Sequence, residues 1–114
     1  MEITRRVIDD KTCVVALDGT LNASSAPEVK EIFHQPVADE GIRQVVLNLQ
    51  RMHSIDSSGL AAQISGLKAM NAVRGSLKMA ALQSQADHLF KFTMSDQLFD
   101  IFHDAHKAIR SFPS

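Results

Sequence analysis

A short and almost uninterrupted apolar run, Val45–Leu49, constrains the fold more than any other feature of the sequence. The run reads Val-Val-Leu-Asn-Leu and is flanked by polar residues. Strands that are covered on both faces show near-continuous apolar runs of this kind, and they occur mainly in parallel sheets packed between helices. A parallel strand pair also needs a crossover connection, which is usually a helix. The run therefore predicts a central strand of an α/β sheet.

The segments around this run alternate between strand and helix signals. The polar turn Asp9-Asp10-Lys11 lies between the first two strand signals, so an opening hairpin is expected. The predicted strands are Ile3–Ile8, Cys13–Leu17, Val45–Leu49, Leu77–Leu82 and Leu98–Phe102, and the predicted helices start at Ser25, span Ser57–Val73, start at Ser84 and run through Ala105–Ile109. We predict a single α/β domain over residues 1–114, with a mixed sheet of about five strands and about four helices.

Glycine, proline and capping residues set the expected boundaries near the first helix. Gly19 should end the second strand, and Thr20–Ser24 should form a polar loop. Ser25–Glu28 has the residue types of a capping box with proline in the first turn, which predicts a helix start. Pro36 should end or kink that helix near His34.

The second helix, Ser57–Val73, is expected to pack one face on the sheet. Its apolar stripe comprises Leu60, Ile64 and Leu67, and Gln63 is expected outside the stripe.

Composition excludes several classes of function. A net charge of −1 gives no overall attraction for nucleic acid. No apolar stretch is long enough to span a bilayer, and the first residues lack the apolar core of a signal peptide, so we expect a cytoplasmic protein without membrane insertion. Cys13 is the only cysteine, which excludes an internal disulfide and a thiolate cage for a metal. No cofactor is expected.

The segment Asp56-Ser57-Ser58-Gly59 is the most informative candidate site. It lies between the loop after the buried run and the start of the second helix. A helix N-terminus presents free N–H groups and about half a positive charge, so it favours an anionic group such as a phosphate on Ser57. A plain helix cap by Asp56 or Ser57 explains the same residue types. Both interpretations stay open on local pattern alone.

The chain resembles the STAS family, the sulfate-transporter and anti-sigma-factor-antagonist domains. The segment from Val45 to Leu60, with Ile55-Asp56-Ser57-Ser58-Gly59-Leu60, is similar to the signature of that family. Gly19-Thr20-Leu21-Asn22 resembles a family loop, and Leu98–Phe102 with Ala108-Ile109 resembles the closing segment. The resemblance implies a STAS-like fold and a partner-binding regulator rather than an enzyme.

In the antagonist members, the serine after the aspartate is phosphorylated by an anti-sigma-factor serine kinase, and the resemblance carries that role to Ser57. It implies that the unmodified chain binds the kinase, that phosphorylation releases it, and that a serine phosphatase resets it. A monomer or weak dimer is expected, and the absence of Trp and Tyr favours modest, reversible contacts. The expected partner-binding residues are Thr20, Asn22, Ser24, Asp56, Ser58, Gly59 and Leu60.

Three positions depart from the family pattern. Thr20 and Asn22 replace acidic residues that are common in that loop, and Met94 stands where a glycine is frequent. A neutral loop would repel acidic surfaces less, which suggests a partner with a different charge pattern; simple drift of the sequence is the alternative.

The same sequence is also compatible with other functions. The alternative within the family is a STAS accessory subunit of a membrane transporter or lipid-export ATPase that is not phosphorylated. Ser65-Gly66-Leu67-Lys68 matches an acyl-enzyme pattern without its companion motifs. His53, in the loop before the second helix, supplies a triad residue type beside Asp56 and Ser57, but close sequence neighbours seldom form a triad.

Two further patterns also have ordinary explanations. His103 and His106 lack further ligands for a metal. The phenylalanines at 90, 92, 99 and 102 are expected to fill the core.

Overall fold

The computed structural model, which describes residues 1–34 and 41–113, confirms an α/β architecture. Within these residues the strands are β1 (Glu2–Val7), β2 (Thr12–Leu21), β3 (Gln44–Asn48), β4 (Met52–Ile55), β5 (Ser76–Ala80) and β6 (Asp100–Phe102). The α-helices are α1 (Ala26–His34), α2 (Ser57–Ala72), α3 (Ser84–Phe92) and α4 (Ala105–Arg110), and a short 3-10 helix spans Ser95–Gln97. The sheet thus has one strand more than predicted, and that strand is β4.

The strands form a mixed sheet in the order β1-β2-β3-β5-β6. The hairpin strand β1 is antiparallel to β2, whereas β3, β5 and β6 are parallel to their neighbours. Strand β4 lies off this path and pairs in parallel with the end of β2, beyond the stretch that pairs with β3. The predicted run Val45–Leu49 forms β3, in the middle of the sheet.

The second strand does not end at Gly19, contrary to the prediction. Gly19 has a φ of 120°, which glycine adopts readily, and its N–H donates to the carbonyl of Arg51 at 3.0 Å. The pairing register with β4 shifts between Gly19 and Thr20, so the glycine makes a bulge and the strand continues to Leu21. Because residues 52–55 pair with β2, His53 lies in strand β4 rather than in the loop that was predicted.

Two other strand boundaries also differ from the prediction. Strand β5 ends at Ala80 rather than Leu82, because Ala81 has a positive φ of 61° that breaks the extended backbone. The last strand begins at Asp100 rather than Leu98, because the 3-10 helix over residues 95–97 precedes it. The predicted course of the chain around Pro36 lies outside the described residues.

Apolar residues cover the two faces of the sheet unequally. On one face, alternate residues of β2, β3 and β5 form the main core with α1, α2 and α3. The other face has a smaller cluster in which Val14, Val46 and Ala80 pack against Ala108 of α4. The ammonium group of Lys78 lies 4.4 Å from the ring centre of Phe112 and helps to hold the end of the chain on this face.

The predicted core role of the phenylalanines is correct for three of the four residues. Phe90 and Phe99 are buried, with ring centres 5.8 Å apart, and Phe102 is half-buried. Phe92 is 88% exposed, so its assignment to the core was wrong. Phe90 and Phe92 lie on opposite sides of α3, as residues two apart in a helix must.

Helix α2 has the predicted start, and Leu60 of its expected stripe is buried while Ile64 and Leu67 are half-buried against the core. Gln63 was expected outside the stripe but is fully buried, with its amide nitrogen 3.9 Å from the sulfur of Met52. Among the described residues its amide oxygen has no hydrogen-bond partner. In the described part of the chain, no helix is long and apolar enough to span a membrane.

Candidate functional site

The ends of β2 and β4 bring two polar segments to the same end of the sheet. Thr20 pairs with Ser54, and Leu21 pairs with Ile55, which is the last residue of β4. The Ser54 hydroxyl lies 3.4 Å from the Thr20 hydroxyl, to which it donates. The loop after β2 and the first turn of α2 therefore lie side by side.

Asp56 is the N-cap of α2. Its backbone is extended, and its carboxylate accepts from the N–H of Gly59 at 3.0 Å. Its own N–H donates to the carbonyl of Leu21 at 3.2 Å, which attaches the cap to the end of β2. Of the two cap residues that the sequence allowed, Asp56 is the one that caps the helix. The Ser57 hydroxyl is therefore not used for capping.

Ser57 is the first residue of α2, and its side chain is exposed. The hydroxyl makes no hydrogen bond within the described part of the chain. Ser58, the next residue, is half-buried. Ser57 is therefore the more accessible of the two serines, and its backbone N–H lies in the first turn, where a helix offers no internal acceptor.

Gly59 allows the first turn of α2 to approach β2 closely. A β-carbon at this position would lie 2.6 Å from the carbonyl oxygen of Leu21 and 2.8 Å from a side-chain carbon of Ile55. Gly59 and the following Leu60 are both buried. These two predicted partner-binding residues therefore lie inside the first turn of α2 rather than on its surface.

A buried hydroxyl organises the neighbouring loop. Ser25 Oγ donates to the carbonyl of Thr20 at 2.9 Å and accepts from the N–H of Asn22 at 3.0 Å. The Asn22 side chain accepts from the N–H of Ser24 at 2.9 Å. The predicted capping box is therefore wrong, because Ser25 faces this loop and Glu28 donates its N–H to the Ser25 carbonyl instead.

A side chain from α3 completes the site. The carboxamide of Gln85 accepts from the N–H of Ile55 at 2.9 Å and donates to the carbonyl of Ile55 at 3.0 Å. Sequence reasoning did not find Gln85, because no local pattern connects residues that far apart. It also did not place Ser25 and Ser54 at the site. Ser54 could have been found only if β4 had been recognised as a strand beside β2.

Only one charged side chain occurs at the predicted site positions, the exposed carboxylate of Asp56. The remaining positions are neutral: Thr20, Asn22, Ser24, Ser57, Ser58, Gly59 and Leu60. Over residues 1–34 and 41–113, no group of three or more His, Cys, Asp or Glu side chains is arranged to hold a metal. The exposed part of the site offers hydroxyl, amide and carboxylate groups.

Comparison with known proteins identifies the family of this chain. The family model described as STAS domain matches residues 3–108. The anti-sigma-B factor antagonist of Staphylococcus aureus is 30% identical over 84 residues, which cover 74% of this chain and 77% of that protein.

Two solved structures share the fold. The phosphorylated form of SpoIIAA, a cell fate determinant of Bacillus, has a TM-score of 0.76 at 16% identity, over 96% of this chain and 97% of that one. A sulfate transporter family protein from Wolinella succinogenes has a TM-score of 0.81 at 14% identity, over 92% of this chain and 87% of that one. The family match over residues 3–108 and the Staphylococcus aureus relative show that this chain belongs to the STAS domain family, among its anti-sigma factor antagonists, and the fold agrees with this.

Proposed function

We propose that this protein is a phosphorylation-controlled antagonist that binds an anti-sigma serine kinase while Ser57 is unmodified and is released when that kinase phosphorylates Ser57. The observation that carries the proposal is the exposed Ser57 hydroxyl at the first residue of α2, without a hydrogen bond in the described structure. A kinase needs an accessible hydroxyl, and the half-buried Ser58 offers a poorer one.

The first turn of α2 tolerates a phosphate. Helix N-termini stabilise anions through free N–H groups and the helix dipole. The cap hydrogen bond from Gly59 N–H to Asp56 already occupies one of these donors, but the N–H of Ser57 itself stays available. Phosphorylation should therefore leave the fold intact and act at the surface.

The docking surface would lose affinity through charge. We define it by its exposed or half-buried site residues, Thr20, Asn22, Ser24, Asp56, Ser57 and Ser58. A phosphate adds about −1.5 to −2 charges beside the Asp56 carboxylate. A loss of about 3 kcal/mol in docking, from repulsion and desolvation, weakens binding by more than roughly a hundredfold. A serine phosphatase acting on phosphorylated Ser57 would restore docking.

The test is intact mass and affinity with an anti-sigma serine kinase from the same organism and ATP. Wild type and Ser58→Ala should gain one phosphate, and Ser57→Ala should gain none. Ser57→Ala should bind the kinase as well as unmodified wild type, whereas Ser57→Asp should bind more weakly because it places a carboxylate beside Asp56.

Two results would contradict the proposal. If Ser57→Ala gained a phosphate, the modified residue would not be Ser57. If wild type, Ser57→Ala and Ser57→Asp bound the kinase with equal affinity, charge at this position would not control binding. A chain that stays unmodified and copurifies with a membrane transporter or a lipid-export ATPase would support the accessory-subunit function instead.

A further inference from the structure

Strand β4 has a backbone edge without a strand neighbour in the described structure. It pairs only with β2, and the N–H of Asp56 donates to Leu21 on that side. The N–H and carbonyl of Ile55 point to the other side. Ile55 is buried, and buried backbone groups need hydrogen-bond partners.

Gln85 supplies both partners from α3. The two hydrogen bonds of 2.9 and 3.0 Å join one carboxamide to one residue, in the same donor and acceptor pattern that a neighbouring strand provides. Gln85 lies in the first turn of α3, so a rigid element carries it. Ile55 directly precedes Asp56 and Ser57, and the carboxamide therefore holds the backbone from which α2 starts.

We propose that Gln85 is a positioning residue for Ser57: its carboxamide replaces a missing strand beside β4 and fixes the direction in which the Ser57 hydroxyl is presented to a kinase. This inference rests on the proposed function of Ser57. The loop over residues 20–25 has hydrogen bonds of its own to Ser25, so loss of the Gln85 contact should act mainly on the start of α2.

The sequence offers a matched control two residues away. Gln83 is also an exposed glutamine, at the N-cap of α3, but its carboxamide donates only to the nearby carbonyl of Ala81 at 2.7 Å. The comparison is therefore between Gln85→Leu and Gln83→Leu in the full chain. Both substitutions remove a carboxamide from the same helix end, and only the first removes the contact with β4.

Two measurements test the inference. By amide hydrogen exchange, the Ile55 N–H should exchange about tenfold faster in Gln85→Leu than in wild type, as expected for loss of one hydrogen bond, and should not change in Gln83→Leu. In phosphorylation by the anti-sigma kinase, kcat should fall about tenfold in Gln85→Leu because the reacting hydroxyl is displaced. Affinity for the kinase should fall less than kcat, since Thr20, Asn22 and Ser24 of the docking surface keep the hydrogen bonds of their own loop.

Unchanged exchange of the Ile55 N–H in Gln85→Leu would overturn the inference. Faster exchange with an unchanged kcat would also overturn it, because Gln85 would then support the fold without affecting phosphorylation. If Gln85→Leu does not fold, Gln85→Glu keeps the acceptor for the Ile55 N–H, loses the donor to the Ile55 carbonyl and adds a negative charge, for which Gln83→Glu is the control. Its kcat should fall while the Ile55 amide stays protected, and an unchanged kcat would overturn the inference.

Wild type distinguishes failure of the proposed function from failure of this inference. If wild type is not phosphorylated at all, both are wrong. If wild type is phosphorylated normally and Gln85→Leu has an unchanged kcat, only the role of Gln85 is wrong.

Discussion

Gly59 lies so close to Leu21 that the first turn of α2 rests directly on the last carbonyl of β2. The distance of 2.6 Å from an added β-carbon to the Leu21 oxygen is shorter than any side chain tolerates without movement of the backbone. The same carbonyl accepts the N–H of Asp56. The glycine after the two serines thus fixes the position of the candidate phosphorylation site relative to the loop beside it.

The contact between Gly59 and Leu21 predicts the effect of adding one methyl group. Gly59→Ala should lower the free energy of unfolding by about 1–3 kcal/mol, because overpacking against backbone exceeds the gain in helix propensity. Ser58→Ala, at the adjacent helical position, should change it by less than about 0.5 kcal/mol. Urea denaturation of both variants measures this difference. Equal stabilities would show that the first turn is not held against β2.

Ser25 and Ser24 give a matched pair in the loop over residues 20–25. Ser25→Ala removes a buried hydroxyl that bonds to Thr20 and Asn22, and it should cost about 1–2 kcal/mol of stability. Ser24→Ala, at an exposed position, should cost less than about 0.5 kcal/mol. Amide exchange at Asn22 should accelerate only in Ser25→Ala. Unchanged exchange there would contradict the proposed loop network.

Phe90 and Phe92 differ sharply in their surroundings although both belong to α3. Phe90 is fully buried against Phe99, so Phe90→Ala should lower stability by about 3–5 kcal/mol. Phe92→Ala should stay within about 0.5 kcal/mol of wild type, because the side chain is mostly exposed. Denaturant midpoints with unchanged slopes measure both effects. A large loss in Phe92→Ala would mean that α3 is rotated relative to the sheet.

Asp104 makes a part of the stability depend on pH. The N–H of Lys107 donates to its carboxylate at 2.8 Å and, with the nearby charges of Lys107, His103 and His106, lowers the pKa of Asp104 below its usual value. A carboxyl whose folded pKa is lowered stabilises the fold above its unfolded pKa, and this contribution disappears as the pH falls through the folded pKa. Stability should therefore be lost in the range below about pH 4.

Asp104→Asn isolates this contribution, because asparagine is also a good N-cap but does not titrate. The variant should unfold at lower urea than wild type at about pH 7, and the difference should be smaller at about pH 2, because the stabilising charge is lost as the carboxyl takes up a proton. Urea midpoints at the two pH values measure the effect. A difference that persists undiminished at the acidic pH would assign it to packing at the cap rather than to charge.

The parts of the fold that local patterns determine were predictable from the sequence. The apolar run 45–49 identified the central strand, and Asp56 with the following apolar residues identified the start of α2. Strand β4 was missed because Met-His-Ser-Ile is short and half polar, and its pairing depends on a bulge at Gly19. The contact of Gln85 with Ile55 joins residues 30 apart, so only the tertiary fold creates it.

The same distinction applies to burial at the candidate site. The sequence identified Ser57 through a motif, and the structure shows that it is exposed. The apolar stripe of the second helix predicted burial of Leu60, which the structure confirms, although Leu60 was also expected to bind a partner. Burial of Gln63, by contrast, was hidden, since a polar side chain gives no apolar signal.

The bulge at Gly19 divides β2 into a part that builds the sheet and a short tail that carries Thr20 with its neighbour Ser54 on β4. Exposed positions on this tail are separate from the main core, so exchanging them should leave folding largely unaffected. For protein engineering, this separation makes Thr20 a position at which the proposed docking surface can be altered without loss of the fold.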